Sequence, residues 1–265
     1  MLPQAIRKLS CNPTLRGVGH RLHLNHFVRL IYCRLLSASG LLQVSCLGVN
    51  AIFKTSSSKQ LAFVDYVIIT EREAIEAALC TLKAGDTFLD VGCHYGIFSV
   101  LASKLVGPAG RVIAVEPHPE SLEVLKENLA LNRCENVEIL NLAFSETTGP
   151  LALAYNEYCA GPRRASDPPS AVHTAQGMAG DEALRNAPIP TSMKIDVDGE
   201  EFAVLNGLKQ TLSKSACRRL CLEMHPASLP SGITKETIMK FIRDCGFRIL
   251  SESSRSAEVH VVASR

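Results

Sequence analysis

Several short groups of glycines and carboxylates in this chain have the residue types and spacing to do chemistry. The first is Asp90-Val-Gly-Cys-His-Tyr-Gly96, which follows the apolar run Thr87-Phe-Leu. Gly92 lets the backbone turn sharply off a strand, and Gly96 lets a ligand approach the start of a helix with no Cβ in the way. Main-chain N–H groups and the helix dipole at such a turn favour a carboxylate or a phosphate. Asp90, at the strand tip, could receive an amine or organise the turn by hydrogen bonds. The second group ends Arg111-Val-Ile-Ala-Val-Glu116 in a carboxylate. An acid there can accept from both hydroxyls of a ribose and would repel a 2′-phosphate. The alternative is that Glu116 only caps the helix after Pro117. Turn and acid together describe a cradle for an adenosine cofactor.

The third group is Met193-Lys-Ile-Asp-Val-Asp-Gly-Glu-Glu-Phe-Ala-Val-Leu-Asn-Gly207. Strand tips face the cleft of an open α/β sheet, so Asp196 and Asp198 should border the ligand, whereas Glu200 and Glu201 could serve as helix caps. Asp-x-Asp-x-Glu could chelate Mg²⁺ or Ca²⁺, but no flanking ligand set supports it, and no metal is assigned. The fourth group is Leu222-Glu-Met-His225-Pro. A His beside a Glu at a cleft edge can act as a general base near neutral pH, or it can be a satisfied structural histidine. Asp196 and His225, with Glu223 after them, are the candidate proton acceptors. His20, His23 and His26 lie in a basic stretch without carboxylate companions and read as surface.

These groups need strands and helices in alternation. The pattern predicts a helix over 71–82, a strand over 87–91, a helix over 97–105, a strand over 111–116, a helix over 121–132 and a strand over 137–142. After a break it resumes with a strand over 192–197, a helix over 200–213, a strand over 218–224 and a helix over 235–245. Strands over 247–252 and 258–263 close the chain, an antiparallel pair ending an otherwise parallel sheet. Upstream, 43–54 and 62–69 read as strands around the polar turn Thr55-Ser-Ser-Ser-Lys59. The break at 145–191 reads as a long insertion, with a small hairpin at Gly149–Tyr155, a Pro-rich loop over 161–170 and a helix at 180–186. Such a loop suits a lid or a substrate wall.

The 265 residues allow one α/β domain with an extension: residues 1–70 as a basic helical and β extension, residues 71–265 as the catalytic domain. With 46% hydrophobic and 20% charged residues, the chain is ordinary for a protein with a proper core. Its net charge of +2 hides an asymmetry, since eight Lys or Arg and no acid precede Asp65. A basic leader on an acidic domain could pack on its own domain, attach peripherally to an anionic membrane or act as a transit segment. No apolar run approaches the ~18 residues needed to cross a bilayer. The 10 cysteines include no Cys-x-x-Cys pair, so a reducing cytoplasm is the economical reading, with possible peripheral contact on the inner face of a membrane.

The Asp-Val-Gly…Gly turn, Ala-Val-Glu-Pro, Lys-Ile-Asp-Val-Asp-Gly-Glu-Glu…Val-Leu…Gly and Leu-Glu-Met-His-Pro resemble the FkbM-type S-adenosylmethionine-dependent methyltransferases. The likeness runs from Glu71 to the C-terminus. It implies a class I, Rossmann-like α/β fold with a seven-stranded, mostly parallel sheet and helices on both faces. It further implies methyl transfer to a hydroxyl, often of a sugar or secondary metabolite, including glycan- or lipid-linked acceptors, and no nucleic-acid partner. By this resemblance Asp90, Gly92, Cys93, His94 and Gly96 surround the methionine part of S-adenosyl-L-methionine, Glu116 its ribose, and Ala143 and Phe144 its adenine. The family usually has Ala-Asn at Cys93-His94 and Glu at Asp198, and Val172-His-Thr-Ala-Gln176 stands where it has Leu-Asp-Asp. A nicotinamide-dependent oxidoreductase is a rival, but Gly-x-Gly-x-x-Gly spacing and a Tyr-x-x-x-Lys pair are both missing. A non-catalytic methyltransferase-like protein held at a membrane by the basic leader is another.

Overall fold

The computed structural model describes residues 40–154, 172–255 and 257–265. The basic leader, its three histidines and the Pro-rich part of the insertion lie outside these residues. The described residues divide into two compact units, one built from 40–45 and 50–72, the other from 46–49 and from 73 onward.

The strand expected over 43–54 is instead two, β1 (Leu41–Cys46) and β2 (Val49–Lys54), which pair as a two-stranded sheet. Leu47 and Gly48 between them both have positive φ, 49° and 78°, as the tightest hairpin turns require. The strand expected over 62–69 is instead part of a helix, α1 (Ser58–Thr70). The β-branched residues there favour a strand, but the local caps override that preference. Ser57 Oγ accepts from the Gln60 N–H at 3.1 Å, and Gln60 Oε1 accepts from the Ser57 N–H at 3.2 Å. Leu61, Val64, Val67 and Ile68 are buried, which is one helical face and not an alternation. The Thr55–Lys59 "turn" is that cap and the first helical turn.

In the second unit, α2 (Arg72–Leu79) precedes β3 (Thr87–Val91), α3 (Ile97–Val106), β4 (Arg111–Val115), α4 (Pro119–Asn132) and β5 (Val137–Leu140). After β6 (Ala143–Ser145), β7 (Gly149–Ala154), β8 (Val172–Ala179) and α5 (Gly180–Ala183) come β9 (Ser192–Ile195), α6 (Glu201–Gly207) and α7 (Lys209–Ser213). The chain ends with β10 (Arg219–Met224), α8 (Lys235–Asp244), β11 (Arg248–Arg255) and β12 (Glu258–Ser264). The main sheet has the order β11-β12-β10-β9-β3-β4-β5. Adjacent strands from β10 to β5 pair in parallel, and β12 runs antiparallel between β10 and β11. Thus the antiparallel closure expected from two consecutive terminal strands arises by insertion of the last strand.

Every residue of β3 and β9, at the middle of the sheet, is buried. Such strands read as continuous apolar runs because helices cover both faces of a parallel sheet. Leu89, Ile113, Met193, Ile195, Leu205 and Leu220 belong to one core.

Three expectations need correction. The stretch 137–142 ends as a main-sheet strand at Leu140, and Ala143–Ser145 moves to a separate three-stranded sheet of order β6-β8-β7. Gly149–Ala154 forms no local hairpin, because its antiparallel partner is β8, on the far side of residues 155–171. The single helix over 200–213 is two helices meeting at Leu208. Gly207 sits at that junction, where a Cβ would fall 1.9 Å from the Ser145 carbonyl oxygen.

Candidate active site at the carboxyl ends of the central strands

The turn after β3 is built by hydrogen bonds to its neighbours. The N–H groups of Gly92 and Cys93 both donate to the Val115 carbonyl, at 3.0 and 3.1 Å, which ties the turn to the tip of β4. Asn128 in α4, fully buried, donates from Nδ2 to the Tyr95 carbonyl at 2.8 Å. Gly92 has φ 74° and Gly96 φ 78°. Both glycines serve the chain's own packing more directly than ligand access. A Cβ on Gly92 would lie 1.9 Å from the Asp196 carbonyl oxygen, and one on Gly96 would lie 2.2 Å from Leu125 Cδ1.

His94 also has positive φ, 48°. His shares with Asn a tolerance of left-handed backbone. His94 can therefore hold this left-handed position in the turn. Its N–H donates to Glu116 Oε2 at 2.8 Å, and the His118 N–H donates to Glu116 Oε1 at 2.8 Å. Glu116 therefore joins the turn to the loop after β4 and does not cap the helix that follows. The N-cap there is His118, whose ring accepts from the Ser121 N–H. Burial pushes the Glu116 carboxyl up to about 7, against the pull of its two N–H donors. Each oxygen takes one main-chain N–H and retains lone-pair capacity for a hydroxyl.

Asp90 is fully buried and accepts from Ser99 Oγ at 2.6 Å. Burial raises its carboxyl, while Lys194 and Ser99 hold it back. The amine it faces is the chain's own, since Lys194 Nζ lies 3.8 Å from Asp90 Oδ1. Lys194 is the residue that pattern reading missed. It projects from buried β9, donates to the Gly92 carbonyl at 2.8 Å and lies 3.2 Å from Asp196 Oδ2. Burial disfavours its charge, but Asp196 and Asp90 outweigh that and raise it further. The available signal was a lysine in the middle of an otherwise apolar strand, two residues before a carboxylate. Cys93 is buried, and burial with the charges of Asp90 and Glu116 raises its thiol. It stands in the turn as a small apolar residue.

A second cluster surrounds the tips of β9 and β10. His225 Nδ1 lies 2.7 Å from Glu201 Oε1, which also accepts from the Gly199 N–H at 2.8 Å. His225 Nε2 lies 3.5 Å from Asp198 Oδ1 and 4.0 Å from Glu223 Oε1. Burial would lower the imidazole, but the hydrogen bond to Glu201 and the charges of Asp196 and Asp198 raise it to about 9. His225 therefore carries a proton at neutral pH and is not a free base in this state. For Asp196, burial pushes the carboxyl up, and Lys194 and His225 overcome this to lower it. Glu223 lies 3.8 Å from Arg255 and 3.6 Å from His260 Nδ1.

Ligand atoms of Asp196, Asp198 and His225 come within 4.8 Å of one another. Positive charge is already supplied there by Lys194 and by protonated His225, so we assign no metal. Ala143 and Phe144 lie on β6, paired with Gly177 and Met178 of β8. The Phe144 side chain is in the core, so only its main chain could meet a ligand. A cavity of about 470 Å³ at the opposite, amino-terminal ends of the strands is bordered by Asp86, Ser192 and Arg219 and is no part of this site.

The glycine turn, the acid on the next strand and the sheet order are those of a class I methyltransferase, a Rossmann-like α/β fold. A family model described as the methyltransferase FkbM domain matches residues 90–249, and the chain belongs to that family. The hexuronic acid methyltransferase AglP of Haloferax volcanii is 26% identical over 193 residues, covering 71% of this chain and 71% of the relative. A ribosomal protein L11 methyltransferase of Acetivibrio thermocellus is 45% identical over 58 residues, 22% of this chain and 18% of the relative. The solved FkbM methyltransferase of Methylobacillus flagellatus superimposes with a TM-score of 0.48 at 15% identity, over 89% of this chain and 60% of that one. Among the described residues, no helix is long and apolar enough to cross a membrane.

The family implies S-adenosylmethionine, and the cradle fits it. Glu116 is a buried carboxylate with spare acceptor capacity beside a glycine turn. Since Glu116 sits near 7 in the free protein, a ligand that donates hydroxyls to the carboxylate must displace its proton in acid. Affinity for S-adenosylhomocysteine should fall by about tenfold between pH 8 and pH 6. Calorimetric titration at the two pH values measures this; equal affinities would mean that Glu116 does not bind the ligand as an anion.

Proposed function

We propose that the chain is an S-adenosylmethionine-dependent O-methyltransferase whose acceptor is a hydroxyl of a sugar or a related polyhydroxylated product. The observation that supports this best is the adjacency of the two clusters. β3, which carries the turn, pairs with β4, which leads to Glu116, on one side and with β9, which leads to Asp196 and Asp198, on the other. Cofactor cradle and carboxylate wall thus occupy neighbouring strand tips of one sheet, as a ligand crevice in an open α/β sheet requires. The sugar acid named for the Haloferax volcanii relative supports a saccharide acceptor.

Asp90, the Gly92–Gly96 turn and Glu116 would hold the cofactor, which when bound supplies a methyl group on a sulfonium. The protein must then align an acceptor oxygen, exclude water and take a proton. Lys194 holds Asp196 and Asp90 in place and keeps the floor of the crevice charge-balanced. His225, protonated between Glu201 and Asp198, can donate to an acceptor oxygen and orient it.

Because a ligand that binds only the folded state stabilises it, S-adenosylhomocysteine at 100 times its Kd should add about 2.7 kcal/mol. The melting temperature should rise by several degrees, and NAD should leave it unchanged. A melting curve that ignores S-adenosylhomocysteine and S-adenosylmethionine would remove this reading. Transfer of a tritiated methyl group to simple methyl glycosides tests the acceptor class.

A further inference from the structure

Four groups at the tips of β9 and β10 could in principle take the proton of an acceptor hydroxyl, and all four have charged neighbours. Asp196 is committed to Lys194 at 3.2 Å. His225 is hydrogen-bonded at 2.7 Å to Glu201, a carboxylate with no exposed surface. Glu223 is flanked by Arg255 at 3.8 Å and His260 at 3.6 Å. The fourth, Asp198, faces the second nitrogen of His225 at 3.5 Å, a looser contact than the 2.7 Å hydrogen bond that holds the first.

The Asp198 backbone is left-handed, φ 51°, and Gly199 follows at φ 113°. A non-glycine residue in that region is held there by its surroundings at a cost of about 1–3 kcal/mol, and such residues concentrate at functional sites. Its side chain is 29% exposed, while that of Glu201 is 0% exposed. Asp198 is therefore partly exposed, as Asp196 is at 27%, and stands beside the His225–Glu201 pair, 3.5 Å from His225 Nε2. We propose that Asp198 is the catalytic proton acceptor for the hydroxyl, with His225 and Glu201 as positioning residues. This assignment rests on the hydroxyl-methylation reading above.

The step balances within the crevice. The acceptor oxygen forms its bond to the methyl carbon as the carbon–sulfur bond breaks and its electron pair passes to sulfur. The hydroxyl proton passes to the Asp198 carboxylate and from there to solvent. Every packed element contributes to the local field: Asp196 and Lys194 from β9, Glu201 from α6, Glu223 and His225 at β10, and Arg255, Glu258 and His260 from the last two strands. Burial and the Asp196 charge push the Asp198 carboxyl up to about 7, against the pull of His225. A group poised there is ionised enough to accept a proton and basic enough to hold it.

Two measurements test the assignment. In the full chain bound to S-adenosylhomocysteine, the carboxyl ¹³C signal identified by its loss in Asp198→Asn should titrate between pH 6 and pH 8, and His225→Gln should raise its midpoint. A signal ionised throughout pH 5–9 overturns the proposal. In tritiated methyl transfer to a panel of methyl glycosides, Asp198→Asn should lower kcat by about 100-fold or more. KM and S-adenosylhomocysteine affinity should stay within twofold, the acid limb of the pH profile should vanish, and Asp198→Glu should restore part of the rate. Asn tolerates left-handed backbone, so the variant should fold. A kcat within threefold of wild type overturns the assignment alone. No transfer by wild type to any glycoside overturns the hydroxyl reading and this role with it, and the unchanged activity of the variant distinguishes the two failures.

Discussion

Lys194→Met is expected to lower the unfolding free energy by about 3–5 kcal/mol at pH 7.5, the range for removing one partner of a buried ion pair. Lys194 is 7% exposed and lies 3.8 Å from fully buried Asp90 and 3.2 Å from Asp196. Its removal strands two carboxylates in the interior and deprives the Gly92 carbonyl of its donor at 2.8 Å. Met conserves much of the volume and can still pack against Phe98, whose ring centroid is 5.3 Å from the ammonium. The loss is therefore electrostatic, not steric, and pH tests it. Without the ammonium both carboxyls should titrate higher, so the variant's deficit should shrink as pH falls from 7.5 to 5.5 and the two acids take up protons. Urea unfolding at the two pH values gives both numbers. A deficit below 1 kcal/mol, or one independent of pH, would show that Lys194 does not balance these acids.

Gly92→Ala carries the next largest cost. Left-handed backbone costs a residue with a Cβ about 1–2 kcal/mol. Here the added carbon would also fall 1.9 Å from a main-chain oxygen, that of Asp196. A carbonyl in the middle of the sheet cannot rotate away as the end of a side chain can. Either the turn or the tip of β9 must move, and a total of more than about 3 kcal/mol follows. The displaced pieces are the turn proposed to hold the cofactor and the strand end that carries Asp196 and Asp198. Binding should thus be lost even where the variant folds: S-adenosylhomocysteine should no longer raise its melting temperature. A variant that melts within 2 °C of wild type and still responds to the ligand would contradict the close approach. Gly96→Ala is the milder comparison, because its Cβ would meet the terminal methyl of Leu125.

Most of the main sheet could be read from the chain because its central strands are buried on both faces and are bounded by glycine turns and amphipathic helices. Thr87–Val91 appears as a short, largely apolar strand interrupted by Asp90, and Gly92 marks its end. Failures occurred where local and distant interactions compete. Residues 62–69 have strand-forming side chains, while the reciprocal hydrogen bonds of Ser57 and Gln60 and the helical spacing of the buried residues favour a helix. β7 looked local because its partner, β8, is separated from it by residues 155–171, and pairing across such a distance leaves no periodic trace. In the site, Asp90, Gly92, Gly96 and Glu116 were legible as strand-tip punctuation. Lys194 was hidden within an apolar strand, and the engagement of Asp196 and His225 with other side chains depends on burial and three-dimensional charge. That engagement is the ground on which we propose Asp198 as the proton acceptor.

The pairing of β7 with β8 has a consequence for where the chain can tolerate change. Ala154 and Val172 pair on the last rung of that ladder, so the chain before and the chain after residues 155–171 are joined at one place. Doubling the length of a segment closed this way costs only about 0.6 kcal/mol in chain entropy. The segment is thus an interchangeable module with a fixed socket: an exchange for one of different length or composition leaves the register of the main sheet, the glycine turn and the Lys194 ion pairs untouched. Selection, or an engineer, can rewrite this part of the chain while the machinery for handling the methyl group stays as it is.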